Sequence, residues 1–305
     1  MPGKKKDIDQ TLQEITTSLL YEGYALYPYR TTALKNKTPI PFGVIYPEKY
    51  GAQNKYSDSR MRTESLLIGN DETELIVTIK FLQVHNSNNE WQAEERQVIS
   101  RQVNIRDLLC NNIDLFFKFS GQNDSLEIEG HATIHLKKMN GWKDIFLLSV
   151  SIANTTPVPD NVSGHKILEY AFVSTHTILE CRNGEFISEQ NPREEFRELV
   201  KGCHNLRTYP VLIDEENTTM LSSPIILYDH PKINNESKGE LFDGTEMEEA
   251  LWLHINALTE SEKEQLSTVD EKIQSLLDTA KQITPTELIH LHDYLKPTGD
   301  ENKRE

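Results

Sequence analysis

The stretch ELIVTIKFLQV, residues 74–84, carries the clearest structural pattern in this chain of 305 residues. Its odd-numbered positions from 75 to 81 are apolar and alternate with more polar positions, which is the two-residue period of a half-buried strand. A helix would instead repeat its apolar residues every three or four positions. The stretch therefore predicts a β-strand with one face in the core.

The same alternation recurs on both sides of a series of turns. Further one-sided strands are predicted in NIDLFFKF (112–119), SLEIEGHATIHLKK (125–138), DIFLLSVSIANTTP (144–157) and YAFVSTHTILECRNGE (170–185), and weaker ones in YPVLI (209–213) and SSPIILYDHP (222–231). A turn is expected at Asn183-Gly184. Successive strands without intervening helical periods favour an antiparallel sandwich over a parallel α/β sheet. We therefore expect a mainly β, antiparallel β-sandwich-like domain over residues 8–233.

Helical signals stand at two places. NPREEFRELVKGC (191–203) predicts one helix capped by Asn191, with Pro192 in its first turn and its apolar residues on one side. From residue 234 onward, Thr-x-x-Glu capping boxes and an apolar stripe between positions 269 and 283 predict an α-helical C-terminal segment, 234–305. That stripe must bury itself either on the β-rich domain or on a partner.

Charge and composition exclude several classes of function. The net charge of −16 makes a nucleic-acid backbone an unfavourable partner. From Asn235 onward, 17 acidic residues stand against 7 basic ones, so the C-terminal segment either faces solvent or meets a basic partner surface. No apolar run approaches the roughly 20 residues that cross a bilayer. Three widely spaced cysteines and the absence of a secretory signal indicate a reduced, cytoplasmic setting.

The histidines and cysteines do not predict a metal site. His131 and His135 share one strand face but lie roughly 13 Å apart, and His290 and His292 point in opposite directions on a helix. No Cys-x-x-Cys pair supports the cysteines. Phosphate-binding glycine loops are also missing. We therefore expect neither a metal nor a cofactor.

A hydrolase remains the alternative to a binding protein. Ser174 and His176 share a strand face, as a nucleophile and its base could. A metal-assisted variant would use Asp229 and His230. A serine on a regular strand lacks the sharp turn that exposes a nucleophile, and a core histidine bonded to a backbone carbonyl also explains the pattern. Because no compact catalytic spacing occurs, we predict no catalytic residues and a non-catalytic binding or assembly factor.

Several stretches together resemble a family of uncharacterised bacterial proteins that are often encoded beside nickel–iron hydrogenase structural and maturation genes. These stretches are LLYEGYALYPYR (19–30), FGVIYP (42–47), RMRTES (60–65), STHTILE (174–180), YPVLI (209–213), MLSSPIILYDHP (220–231), LFDGTEMEEAL (241–251) and LTESEKEQL (258–266). Relatives carry a cysteine where this chain has Ser65, a tryptophan in place of Tyr209, and a proline-bearing link where NNESKGE stands. The resemblance implies a role beside hydrogenase biogenesis, with a hydrogenase subunit or maturation protein as partner.

The candidate binding residues are charged and aromatic positions within these stretches. They are Tyr21, Glu22, Tyr27, Tyr29, Arg30, Arg60, Glu64, Asp229, Asp243 and Glu246. We expect Arg30 and Arg60 to pair with Glu22, Glu64 or Asp243. Such a polar cluster would form a recognition surface or would lock the N-terminal segment against the helical one.

Overall fold

The computed structural model describes residues 12–13, 15–17, 19–20, 43–55, 57–87, 90–121, 126–162 and 164–231. The predicted C-terminal helical segment, 234–305, lies outside the described residues. So does the tyrosine-rich stretch 21–30.

Within the described residues, nine strands form one sheet in which every pairing is antiparallel. The strands are β1 (Arg60–Ser87), β2 (Glu90–Ile99), β3 (Val103–Asn104), β4 (Ile113–Phe119), β5 (Ile128–Lys138), β6 (Ile145–Asn154), β7 (Val173–Phe186), β8 (Tyr209–Leu212) and β9 (Thr219–Ser223). The sheet order is β4-β5-β6-β1-β7-β9-β8, while β2 and β3 also pair with β1. The prediction of a mainly antiparallel β fold is confirmed.

Helices are short in the described part of the chain. They are α1 (Glu48–Gln53), α2 (Ile105–Cys110), α3 (Arg197–Val200) and the 3₁₀ turns Gly164–Tyr170 and Glu194–Phe196. Residues 12–13, 15–17 and 19–20 are helical as well. Among these described helices, none has the length and apolar character needed to cross a membrane.

Strand β1 is the centre of the sheet and has different neighbours along its length. Its first part, 60–68, pairs with β6, and its last part, 78–87, pairs with β2. On its other side β7 follows it from Leu67 to Leu82. One 28-residue strand therefore connects both halves of the sheet.

The two halves of β1 meet at an irregularity. The pairing of β1 with β7 shifts between Gly69 and Glu74. There the Asn70 backbone N–H donates to Thr73 Oγ1 (2.8 Å), and the Thr73 hydroxyl donates to the Asn183 carbonyl (2.6 Å). Asn183 has a positive φ of 54°, yet β7 continues to Phe186. The turn expected at Asn183-Gly184 is thus a kink within a strand.

The predicted alternation is visible in the burial of the strands. Every second side chain of β5 is buried from Ile128 to Leu136, and β4 alternates between half-buried and exposed positions. In β1 the odd-numbered apolar residues from 75 to 81 are buried. These faces define the main core.

Aromatic rings fill the centre of that core. Phe81 contacts Phe117, Phe119 and Phe172, with ring centroids 4.5–6.0 Å apart. Gly130 of β5 makes room for them, because a Cβ there would lie 2.5 Å from the Phe117 ring and 2.7 Å from the Phe172 ring. The strand residues around this glycine therefore pack directly against the aromatic cluster.

The sheet curls around this core. Arg96 Nη2 on β2 donates to the Ser120 carbonyl just beyond β4 (3.0 Å). Gln83 Nε2 on β1 likewise donates to the Leu126 carbonyl just before β5 (2.8 Å). Because β1, β6 and β5 separate β2 from β4 in the sheet, these contacts require it to bend back toward itself.

Two boundaries differ from the sequence prediction. The helix expected over 191–203 is limited to the 3₁₀ turn Glu194–Phe196 and α3, and its N-cap is Arg193, without a side-chain hydrogen bond. Asn191 instead donates its backbone N–H to Ser188 Oγ. The strand expected over 222–231 ends at Ser223, because Pro224 follows and cannot donate to a ladder.

Candidate functional site

Only part of the predicted polar cluster falls within the described residues. The candidates outside them are Tyr21, Glu22, Tyr27, Tyr29, Arg30, Asp243 and Glu246. Arg60, Glu64 and Asp229 are described and can be compared with the expectation.

Arg60 does not pair with Glu64. Its Nη2 contacts Glu48 Oε1 at 3.1 Å in an exposed ion pair. The two residues share a face of β1, but four positions of extended chain separate them by roughly 13 Å. The described side chains therefore place Arg60 and Glu64 in different contacts.

Glu64 instead holds the loop before β8. Its Oε2 accepts a hydrogen bond from the His204 backbone N–H (2.8 Å), and its own backbone N–H donates to Asn205 Oδ1 (2.8 Å). Arg62 Nε donates to the His204 carbonyl (3.0 Å). Arg62 also forms a β-bridge with Leu206. Neighbouring positions of β1 thus fix residues 204–206.

Glu189 also binds the same loop. Asn205 Nδ2 donates to Glu189 Oε2 at 2.9 Å, while Glu189 Oε1 is buried without a hydrogen-bond partner among the described residues. Burial raises the pKa of this carboxyl to about 7, and the negative charges of Asp229 and Glu64 add to the increase. Sequence reasoning missed Glu189, because nothing in its local pattern distinguishes it from a surface glutamate.

Asp229 fastens the segment that follows β9. Its Oδ1 accepts from the Leu212 backbone N–H (2.8 Å), and its Oδ2 accepts from the Ser188 hydroxyl. The next residue, His230, has a positive φ of 56° and donates its N–H to the Leu212 carbonyl (2.7 Å). One carboxylate oxygen of Asp229 therefore holds this segment against β8, and the other ties it to Ser188.

Exposed apolar side chains lie on the two segments that these carboxylates hold. They are Leu206, Tyr209, Ile226 and Tyr228, which we call the edge surface. Tyr209 is the strand partner of Ser223, so the residues before Tyr209 and those after Ser223 leave the sheet at the same end, and the second segment then runs along β8 until Asp229 and His230 meet Leu212. Ile226 and Tyr228 are 61% and 68% exposed. A surface of this kind is typical of a protein-binding site.

The Ser174 and His176 pair has no solvent exposure. Ser174 has a positive φ of 52°, and its hydroxyl donates to the Leu19 carbonyl (3.2 Å). His176 Nδ1 lies 2.8 Å from the Ser174 carbonyl, and its Nε2 is buried without a partner in the described part of the chain. Burial lowers the pKa of His176 to about 4. The imidazole is therefore a neutral core group bonded to the backbone.

Histidines on β5 take part in surface contacts. His131 Nε2 lies 3.0 Å from Asp114 Oδ1, and its ring stacks on Phe116 with centroids 4.6 Å apart. His135 is exposed on the same face. Among the described residues, no group of three or more histidine, cysteine, aspartate and glutamate side chains is placed to hold a metal ion.

Four stretches that are distant in the sequence meet around Ser222. The Thr63 hydroxyl donates to Ser222 Oγ (2.7 Å), while Thr177 and Pro210 are strand partners of Ser222. The stretches that contain Thr63, Thr177, Pro210 and Ser222 are thus neighbours in the core. Ser65 is also buried, and its hydroxyl has no partner among described residues. A thiol suits such a position, which makes it a packing site.

Comparison with known proteins identifies no family for the chain. No protein-family model matches it, and no protein of curated function matches it in sequence.

Proposed function

We propose that this protein is a non-catalytic binding or assembly factor and that the edge surface binds its protein partner. The observation that carries the proposal is the exposure of Leu206, Tyr209, Ile226 and Tyr228 on adjoining segments beside β8. Large aromatic and aliphatic side chains exposed together are characteristic of interfaces, and tyrosine is enriched there.

Partly buried polar contacts hold the two segments that carry the edge surface. Asn205 is held at both ends of its amide, by the Glu64 backbone and by the Glu189 carboxylate. Asp229 ties the segment carrying Tyr228 to β8 and to Ser188. A surface that is already ordered loses less conformational freedom when a partner binds. This preorganisation supports a binding role.

The hydrolase alternative receives less support. Ser174 and His176 are completely buried, and each makes its described hydrogen bond to a backbone carbonyl. For the metal-assisted variant, both carboxylate oxygens of Asp229 already accept hydrogen bonds, from Leu212 and Ser188, and no described group of three or more candidate ligands accompanies it. Both arrangements serve the packing of the sheet.

The partner class in this proposal comes from the resemblance. It points to a hydrogenase subunit or a hydrogenase maturation protein, met in the cytoplasm by the sandwich-like domain 8–233 and its acidic helical segment 234–305. Neither a nucleic acid nor a membrane belongs to the proposal, because the net charge is −16 and no long apolar stretch occurs.

A pull-down with matched variants tests the proposal. Tagged protein expressed in its native host should capture one hydrogenase subunit or maturation protein, identified by mass spectrometry. The double variant Ile226→Asp, Tyr228→Asp should lose that capture, because it places charge at the centre of the apolar contact. Ile99→Asp is the control, since Ile99 is an exposed apolar residue at the end of β2.

Folding of each variant is verified by its circular dichroism spectrum and thermal unfolding. The interaction is then measured with purified partner by isothermal titration calorimetry. The proposal fails if wild-type protein captures no defined partner, or if the double variant binds it as tightly as the control does.

A further inference from the structure

The two edge strands of the sheet, β8 and β4, differ in how their outward backbone groups are bonded. At the β8 end, Pro210 lacks a backbone donor, and the outward N–H and C=O of Leu212 are bonded to Asp229 and His230. Such features prevent a further strand from pairing with the edge. At the other end, β4 pairs with β5, and no described strand pairs with its outer side.

Strand β4 has the features of an edge that accepts another strand. It runs for seven residues without a proline and without a shift in its register to β5. One face carries Ile113, Leu115, Phe117 and Phe119, which are only half-buried. At its midpoint Phe116 is 80% exposed, with its ring stacked on His131. An apolar edge that pairs with no strand in the described part of the chain is a template for strand addition.

We propose that β4 pairs with β4 of a second copy of this chain, antiparallel, about a two-fold axis at Phe116. This register places Phe116 opposite its own copy, Leu115 opposite Phe117, and Ile113 opposite Phe119. Each half-buried apolar residue then meets an apolar residue of the second copy on the core face. The contact is isologous and closes after two chains.

Charge complementarity selects this register. Asp114 and Lys118 lie two residues on either side of Phe116 and are exposed on the same face. In the proposed register each Asp114 faces Lys118 of the second copy, which gives two opposite-charge pairs per dimer. A shift of two residues would set Asp114 against Phe116. A shift of one residue would exchange the apolar and polar faces.

Existing contacts leave both charged groups able to make this pair. The described bonds to the Asp114 carboxylate, from Thr133 Oγ1 (2.8 Å) and His131 Nε2 (3.0 Å), both end on Oδ1. These bonds lower the pKa of Asp114, that from Thr133 most, so the group is anionic at neutral pH. Lys118 contacts Glu127 at 2.6 Å, and its ammonium group has three donors.

The test is a charge-reversal series read by sedimentation velocity on the full chain. Wild-type protein should show a concentration-dependent dimer below about 500 μM, a range that covers weak strand-mediated association. Asp114→Lys and Lys118→Asp should each raise the dimer dissociation constant by about tenfold or more, because both pairs become like-charged. Mixing the two variants should restore the dimer, since every pair in the mixed species is again of opposite charge.

Asp160→Lys is the matched control, because Asp160 pairs with Lys49 at 2.6 Å in an exposed contact that involves no residue of β4. A second readout uses Phe116→Cys in a Cys110→Ser background, which should form a disulfide-linked dimer at the axis. The proposal is overturned if wild-type protein stays monomeric, if the single variants dimerise like the control, or if their mixture does not restore the dimer.

Discussion

Replacing Glu189 with glutamine should make the protein more stable at alkaline pH. The Glu189 carboxyl is buried beside Asp229 and Glu64, and its pKa rises from 4.5 to about 7. The amide of glutamine can still accept the hydrogen bond from Asn205. It carries no charge at any pH, so the substitution removes the cost of ionising a buried group.

The magnitude follows from the shift in pKa. One pKa unit corresponds to about 1.4 kcal/mol, so the shift amounts to about 3 kcal/mol of unfolding free energy. The pKa of Glu189 is higher in the folded protein than in the unfolded one. The stabilisation by its protonated carboxyl is therefore fully present below pH 4.5. It is lost as the pH rises through about 7. The advantage of Glu189→Gln over wild type should therefore grow across that window and level off above it.

The assay is urea unfolding of both proteins at several pH values from 4.5 to 8.5, followed by circular dichroism. Glu195→Gln, on an exposed glutamate of the neighbouring 3₁₀ turn, controls for the loss of one surface charge. If the difference between Glu189→Gln and wild type stays constant over this range, the reasoning is refuted. A carboxyl pKa near 4.5 in an NMR titration would refute it independently.

Three further substitutions test the core. Ser65→Cys should raise the unfolding free energy by about 1 kcal/mol, because it replaces a buried hydroxyl that has no partner among described residues; an unchanged or lower midpoint in urea would contradict this. Gly130→Ala should cost about 1–3 kcal/mol, since the new methyl group would overlap the Phe117 ring, and a wild-type melting temperature would show that the core yields more easily. His176→Asn should weaken the acid sensitivity of folding: the pKa of His176 is lowered to about 4, so its contribution is present above pH 6.5 and is lost as pH falls through 4. Equal pH profiles of the unfolding free energy for wild type and His176→Asn would contradict that assignment.

Strand faces could be predicted from the sequence because their cause is local. In β1, β4 and β5 the side chains alternate between a core and an outer face, and the two-residue period records that alternation directly. Turns were harder. Asn183-Gly184 has the composition of a turn, but contacts with Thr73 of β1 keep it inside a strand.

The supporting site depends on residues that are distant in sequence. Glu64 meets His204 across 140 positions, and Ser188 meets Asp229 across 41. Such contacts follow from strand order, which periodicity does not encode. Asp229 was identified within a distinctive stretch, whereas Glu189 acquires its raised pKa from burial in the folded protein and, to a smaller extent, from the carboxylates of Asp229 and Glu64.

The length of β1 also constrains how the chain reaches its native state. The hairpin with β2 joins positions as close as Ser87 and Glu90, and such local pairs form within microseconds. The first part of β1 can pair only after β6 and the end of β7 at Phe186 have been synthesised, about a hundred residues later. Because pairings of high sequence separation slow folding, we expect a nascent chain to carry a half-paired β1 through much of its synthesis. During that interval the exposed apolar face of β1 makes this protein itself a candidate substrate for general chaperones.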